Sequence, residues 1–537
     1  MDLRGYHGLL IDDMPEMRNT VRIQLADGGL EHCDVARNVK EAVEKISANR
    51  YDLVICDYNL GQGADGQQLL ELVRRKQVLP LTTAFLMITA ETGYAQVATA
   101  AEYSPDDYLI KPFTAETLCS RLTRILERKS ALKPIYQHMG PKGDREKALT
   151  ACLAFLNEKS RYTLDVMRIQ GELLLTLGRT DDALALYQSV LEQRSTPWAE
   201  VGKARAMAAA GNTEDAKTEL RQALEAYPNY LAAYDTLSQL LEKSDKAAAQ
   251  EVVEKALKVA PSTQRQRQLG GLALDNNDFA RAETAFLRAV EKDRTGFFKS
   301  HDDYAGLAKS CSAQGKTKEA LTAVKEMGQH FAATPELAAR QAAVECLVQT
   351  KAGNLDAAKI ALQRALDVRA KAPLDPAASL EIAGACFASG DTEQAKSIIQ
   401  SVAEDHQENV SVIAAAQSVF QAAGRGDEGA TFLETTLRNM IQLNNEAVGL
   451  ARSGELEKAI SMLQSAADRL TNNAQVSINA ALALLMDCQR NGLKPERLAQ
   501  AHRYLMQARA VNPLHPRLAD VVGLYERLAP PDAPSLE

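Results

Sequence analysis

The sequence predicts two architectures in tandem: a doubly wound α/β domain of five parallel strands, followed by an all-α solenoid of helical repeats. Three observations carry this prediction. From Gly8 to about Lys129, short apolar runs alternate with segments of helical spacing, the pattern of strands covered on both faces by helices. Beyond the stretch KPIYQHMGPKGD (133–144), strand signals disappear. In their place a turn residue, an alanine and a large apolar residue four positions later recur at about 33 residues, then at intervals in the high thirties, a period of stacked helical hairpins.

The strands are read in order as GLLI (8–11), HCDVA (32–36), YDLVIC (51–56), AFLMIT (84–89) and YLI (108–110). Between and after them MRNTVRIQLA, VKEAVEKISA, GQQLLELVRRK, YAQVATAAEY and TAETLCSRLTRILERK have helical spacing. In such a sheet ligands bind beyond the carboxyl ends of the strands, at the point where strand order reverses. Polar residues at strand ends are therefore informative.

The repeats are anchored by Ala183, Ala216, Ala249, Ala282, Ala320, Ala358, Ala395, Ala459 and Ala501, with Gly429 in the equivalent place between Ala395 and Ala459. This pattern resembles the tetratricopeptide repeat. Leu269-Gly270, Ala282 and Phe286 stand at its Leu-Gly, Ala and Phe positions, and Pro228, Pro261 and Pro513 at its terminal Pro. The resemblance covers about residues 145–527, as nine or ten repeats, with departures at Ser244 and Gly429 and inserts after Arg294, Val368 and Asp487. The resulting division is 1–130 for the α/β domain, 131–144 for a linker with a hinge near Gly140-Pro141, 145–527 for the array and 528–537 for a mobile tail.

The formal net charge of −8 over 537 residues argues against a nucleic-acid partner, whose affinity comes from Lys and Arg neutralising phosphates. No apolar stretch approaches the length of a membrane span, and the N-terminus lacks the pattern of a signal peptide; the expected location is cytoplasmic. The eight cysteines have no C-x-x-C pairing and read as reduced, buried small hydrophobes.

Asp12-Asp13, Asp57, Thr89 and Lys111-Pro112 stand at four strand ends. Carboxylates gathered there repel one another, and a divalent cation with one lysine relieves them. An oxygen-only ligand set suits Mg²⁺, and a carboxylate beside it can act as nucleophile toward phosphorus. Thr89 and Lys111 could then take up charge on the phosphoryl oxygens.

With IDD (11–13), ICDYNL (55–60), ITA (88–90) and DDYLIKPF (106–113), residues 6–128 resemble the receiver domain of two-component response regulators, a flavodoxin-like fold. The resemblance implies Asp57 as phosphoacceptor, with Mg²⁺ held by Asp12, Asp13, Asp57 and the backbone carbonyl of Asn59. It also implies Thr89 and Tyr108 as switch residues, Lys111 as phosphate sensor and a cis bond before Pro112. A cognate histidine kinase or phosphotransfer protein is the implied donor.

No phosphate loop, H-E-x-x-H or G-x-S-x-G motif is present in the sequence, so chemistry beyond the receiver's own phosphoryl transfer and dephosphorylation is not expected. The HDD of His301–Asp303 reads as helix capping. The array is expected to bind a protein or peptide along a groove for which Arg168, Trp198, Arg205, Tyr234, Arg267, Lys309 and Arg340 are candidates. A phosphorylation-controlled response regulator is the leading reading; a constitutive scaffold that uses the receiver for docking is the alternative, ahead of a DNA-binding regulator.

Overall fold

The computed structural model describes residues 3–61, 64–90, 105–140, 143–158, 160–293, 299–513 and 515–529. It divides into two compact units, Met1–Ser310 and Cys311–Glu537. The first opens with β1 (His7–Ile11), α1 (Pro15–Asp27), β2 (His32–Ala36), α2 (Val39–Ala48), β3 (Leu53–Asp57), α3 (Gly66–Arg75), β4 (Ala84–Thr89), β5 (Asp107–Ile110) and α4 (Ala115–Tyr136). The helix expected at YAQVATAAEY lies outside the described residues.

All five strands are parallel, in the order β2-β1-β3-β4-β5. Alternate residues of each strand face opposite ways, which explains the two apolar layers. Leu10, Leu53, Ile55, Leu86 and Ile88 pack with Val21, Leu25, Leu118, Leu122 and Ile125 of α1 and α4. Leu9, Ile11, Val54, Cys56, Phe85 and Met87 pack with Val39, Ala42, Leu69, Leu70 and Val73 of α2 and α3. Each fully buried aliphatic side chain contributes about 1.5–3 kcal/mol. Local signals set the helix starts: Asn38 caps α2, Thr114 caps α4, and Asp65 with Gln68 forms a capping box on α3.

The structure corrects the start of the linker. Residues 131–136 continue α4, with Pro134 inside it, and Leu132 and Ile135 are buried with Ala148, Leu149 and Cys152 of the next helix, Arg145–Leu156. Apolar spacing along α4 persists past the receiver because its last turns have a second layer to pack on. Gly140 is described, whereas Pro141 and the end of the tail, 530–537, lie outside the described residues.

The remainder is helical, as a solenoid of hairpins requires. Each of the nine anchoring alanines is at most 2 % exposed, because the two helices of a hairpin meet there. The large residue four positions later fills the space between successive hairpins. In the first unit Tyr187 lies against Gly171 and Gly202, and Phe286 against Gly270 and Gly306, so closely that a Cβ on any of these glycines would stand 2.3–2.7 Å from the ring. In the second unit Gly429 replaces alanine because Phe420 Cβ leaves only 2.4 Å for a Cβ. Among the described residues no helix is long and apolar enough to cross a membrane. Seven of the eight cysteines are buried and Cys33 is half-buried.

Candidate functional site at the strand ends

Strand register builds the site. Ile11 pairs with Cys56, so Asp12 and Asp57, each one residue further along, stand level on adjacent strands. Asp57 pairs with Ile88, and Thr89 pairs with Ile110, which brings Thr89 and Lys111 to the same edge. Asp12 and Asp57 are buried, Thr89 is buried and Asp13 is exposed.

Lys111 Nζ lies 2.7 Å from Asp57 Oδ2 and 3.4 Å from Asp12 Oδ2. Oxygens of Asp12, Asp13 and Asp57 come within 4.8 Å of one another. Three carboxylates against one ammonium leave an excess of negative charge, and a donor set made only of oxygen fits Mg²⁺. Burial pushes the Asp57 carboxyl above its ordinary range; Lys111 opposes this and the neighbouring Asp12 adds to it. The Asn59 side chain accepts the Gly61 N–H at 3.1 Å, which fixes the turn after β3 and leaves the side chain engaged within that turn. The Lys111–Pro112 peptide is cis.

Two further residues shape the site that sequence reasoning did not single out. Gly61 has φ +72°, and a Cβ there would stand 2.7 Å from Asp13 Oδ2. A Cβ on Gly66, the first residue of α3, would stand 2.2 Å from the Asp57 carbonyl oxygen and 2.9 Å from Cys56 Sγ. The available signal was a pair of glycines just beyond the strand that carries Asp57.

Tyr108 sits on β5 opposite Met87, packed against the α2/α3 layer beside Tyr58. Its hydroxyl is buried with no hydrogen-bond partner among the described residues, and burial, then Tyr58, pushes the phenol far above its usual range. The residue also lines a cleft of about 400 Å³ with Arg128, Tyr136, Asp165, Arg168 and Glu172. The last three belong to the helix Thr163–Thr176 of the array, so the receiver edge and the array share this cleft.

The groove candidates fare differently. Arg168 is exposed on that cleft and Lys309 is half-buried. Trp198 packs edge-on against Tyr187 with centroids 6.1 Å apart, and Tyr234 donates its hydroxyl to the Pro228 carbonyl at 2.9 Å. Arg205 is exposed and binds both carboxylate oxygens of Glu172. Arg340 is a correction to the expected groove because it is buried, and Arg267 is half-buried with its guanidinium already engaged. Arg267 donates to Asp293 at 2.7 Å and to Asp303 at 2.8 Å, and Arg340 is buried, 4.0 Å from Glu381. Carboxylates on neighbouring helices engage both guanidinium groups. Asp303, read from sequence as a capping residue, is the buried acceptor for Arg267.

Comparison with known proteins follows the same division. The family described as "Response regulator receiver domain" matches residues 9–123. Two families described as "Tetratricopeptide repeat" match 174–241 and 349–419, and 238–297. Chemotaxis protein CheY-3 of Vibrio cholerae is 35% identical over 120 residues, 22% of this chain and 91% of that protein. Chemotaxis protein CheY of Pseudomonas aeruginosa is 32% identical over 123 residues, 22% of this chain and 95% of that protein. The solved chemotaxis protein CheY4 of Vibrio cholerae is 30% identical, covering 22% of this chain and 98% of its own, with a TM-score of 0.21.

Proposed function

We propose that this chain, which belongs to the response regulator receiver family and carries tetratricopeptide repeats behind its receiver, is switched by phosphorylation of Asp57 and acts through a protein partner of the array. The observation that carries the reading is Lys111 Nζ at 2.7 Å from Asp57 Oδ2 within a group of three carboxylates. The phosphoryl group comes from a histidine kinase or phosphotransfer protein, in the cytoplasm.

In the transfer an Asp57 carboxylate oxygen attacks phosphorus of the donor's phosphohistidine. The new O–P bond forms as the P–N bond breaks, and the leaving imidazole takes a proton, so Asp57 becomes an acyl phosphate. Asp12, Asp13, Asp57 and the Asn59 carbonyl would hold Mg²⁺, which when bound supplies positive charge beside the phosphoryl oxygens. Lys111, already paired with Asp57, follows the charge onto those oxygens, and the Thr89 hydroxyl donates to another. Tyr108, whose hydroxyl has no partner among the described residues, moves with Thr89 and changes the edge that faces Arg168 and Glu172 across the cleft.

The test is intact mass after treatment with a small acyl phosphate and Mg²⁺. Wild type should gain one phosphoryl group and Asp57→Asn none; equal gain in both, or none in wild type, sinks the assignment. Capture of partners by wild type and Asp57→Asn, with and without a phosphoryl mimic, separates a switch from a constitutive scaffold: a switch changes its partners only in wild type.

A further inference from the structure

The start of α3 touches both the phosphorylation site and the repeat array. Gly66 packs on the Asp57 carbonyl. Two residues later Gln68 accepts the Asp65 N–H at 3.1 Å through Oε1 and donates through Nε2 to Asp293 Oδ1 at 3.2 Å. Asp293 lies 225 positions further on, at the last residue of the repeat helix Phe279–Asp293. It is only 3 % exposed and is held by Arg267, which also binds the buried Asp303. The neighbouring Gln67 is 7 % exposed. The repeat helix Phe279–Asp293 therefore reaches the start of α3, next to the strand end that carries Asp57.

The charges at this contact are poised against a further anion. Asp293 and Asp303 hold Arg267, and Asp65 lies near enough to Asp293 and Lys292 for both charges to act on it. Phosphorylation turns the Asp57 carboxylate into an acyl phosphate of about −1.5 to −2 charge, so roughly one further negative charge appears on the other side of the turn that begins α3. Like charges in a partly buried site are weakly screened.

We infer that the Gln68–Asp293 contact is an intramolecular clasp that holds the helix Phe279–Asp293 on the receiver and opens when Asp57 carries a phosphoryl group. The inference rests on the reading of Asp57 as the phosphorylated residue. Opening frees Gln68 on the receiver and loosens the Arg267–Asp293 pair on the array, so surface that a partner could bind appears on both sides. The array is then the receiver's own first ligand, displaced by repulsion.

Hydrogen exchange of the full chain tests this, read on residues 66–75 and 279–293, with β4 as the internal measure of an intact fold. Gln68→Glu keeps an acceptor for the Asp65 N–H but sets a carboxylate against Asp293, and should speed exchange in both segments at least several-fold without any phosphoryl group. Wild type loaded with beryllofluoride and Mg²⁺ should show the same change, and Asp57→Asn should not respond. Asp293→Asn should gain phosphoryl mass as wild type does, with a smaller exchange response. Unchanged protection in Gln68→Glu overturns the clasp. Phosphoryl mass gain in wild type with unchanged exchange overturns its control by phosphorylation. If Gln68→Glu opens but wild type gains no mass, the contact stands, and the reading of Asp57 and the control built on it both fall.

Discussion

Replacing Gly66 by alanine should disable Asp57 without touching any charged group of the site. The added Cβ would stand 2.2 Å from the Asp57 carbonyl oxygen, about 1 Å inside an ordinary carbon–oxygen contact of about 3.3 Å. The obstructing atom is backbone, and Cys56 Sγ closes the other side at 2.9 Å, so α3 or the end of β3 must move by roughly that amount. Over-packing of this kind costs about 1–3 kcal/mol, and a reacting group displaced by about 1 Å loses about 10²-fold in rate. The assay is the rate of phosphoryl uptake from an acyl phosphate, followed by intact mass. Gly28→Ala is the control: its Cβ would meet Cys119 Sγ at 2.4 Å, at the end of α1 remote from the strand ends, so it should cost stability with little change in uptake. Uptake by Gly66→Ala at the wild-type rate, or a loss no larger than that of Gly28→Ala, would refute the reasoning.

Two further outcomes follow from the packing. Leu132→Ala removes a side chain 1 % exposed from the layer shared with Ala148 and Leu149 and should destabilise by about 2–5 kcal/mol; a thermal melt with a loss under about 0.5 kcal/mol, the range of surface sites, would return this segment to a linker. Burial pushes Asp303 up to about 6 despite Arg267, with Asp293 and Asp302 adding. Since the folded state then holds this proton more tightly than the unfolded chain, whose Asp titrates near 3.9, its contribution to stability is greatest below about pH 4 and declines as pH rises to about 6. Relative to Asp303→Asn, wild type should lose about 2–3 kcal/mol over that window; paired melts showing a difference constant with pH would contradict it.

Much of the receiver was legible because its signals are local. Each strand is an apolar run bounded by turn residues, and each run ends on a polar group that a doubly wound sheet must place at its open edge. Gly66 was overlooked since its constraint is space, not an unusual φ: only the fold brings the Asp57 carbonyl to within 2.2 Å of its missing side chain. The end of α4 was misread at Pro134 because proline weakens a helical reading, while the burial of Leu132 and Ile135 depends on a helix that begins at Arg145.

By itself the sequence determined the two architectures, the acidic strand ends and the alanines on which the hairpins close, all set by periodicities within a few turns of chain. Tertiary structure decided which charges are open. Arg267 and Arg205 look alike as groove arginines, yet the first meets Asp293 and Asp303, 26 and 36 residues away, and is half-buried between them, while the second remains exposed on Glu172. The same is true of Gln68, an ordinary capping residue until the chain returns 225 residues later to set Asp293 against it. Ion pairs and hydrogen bonds act over a few ångströms of space, and no local period in the chain records which distant side chains will share that space.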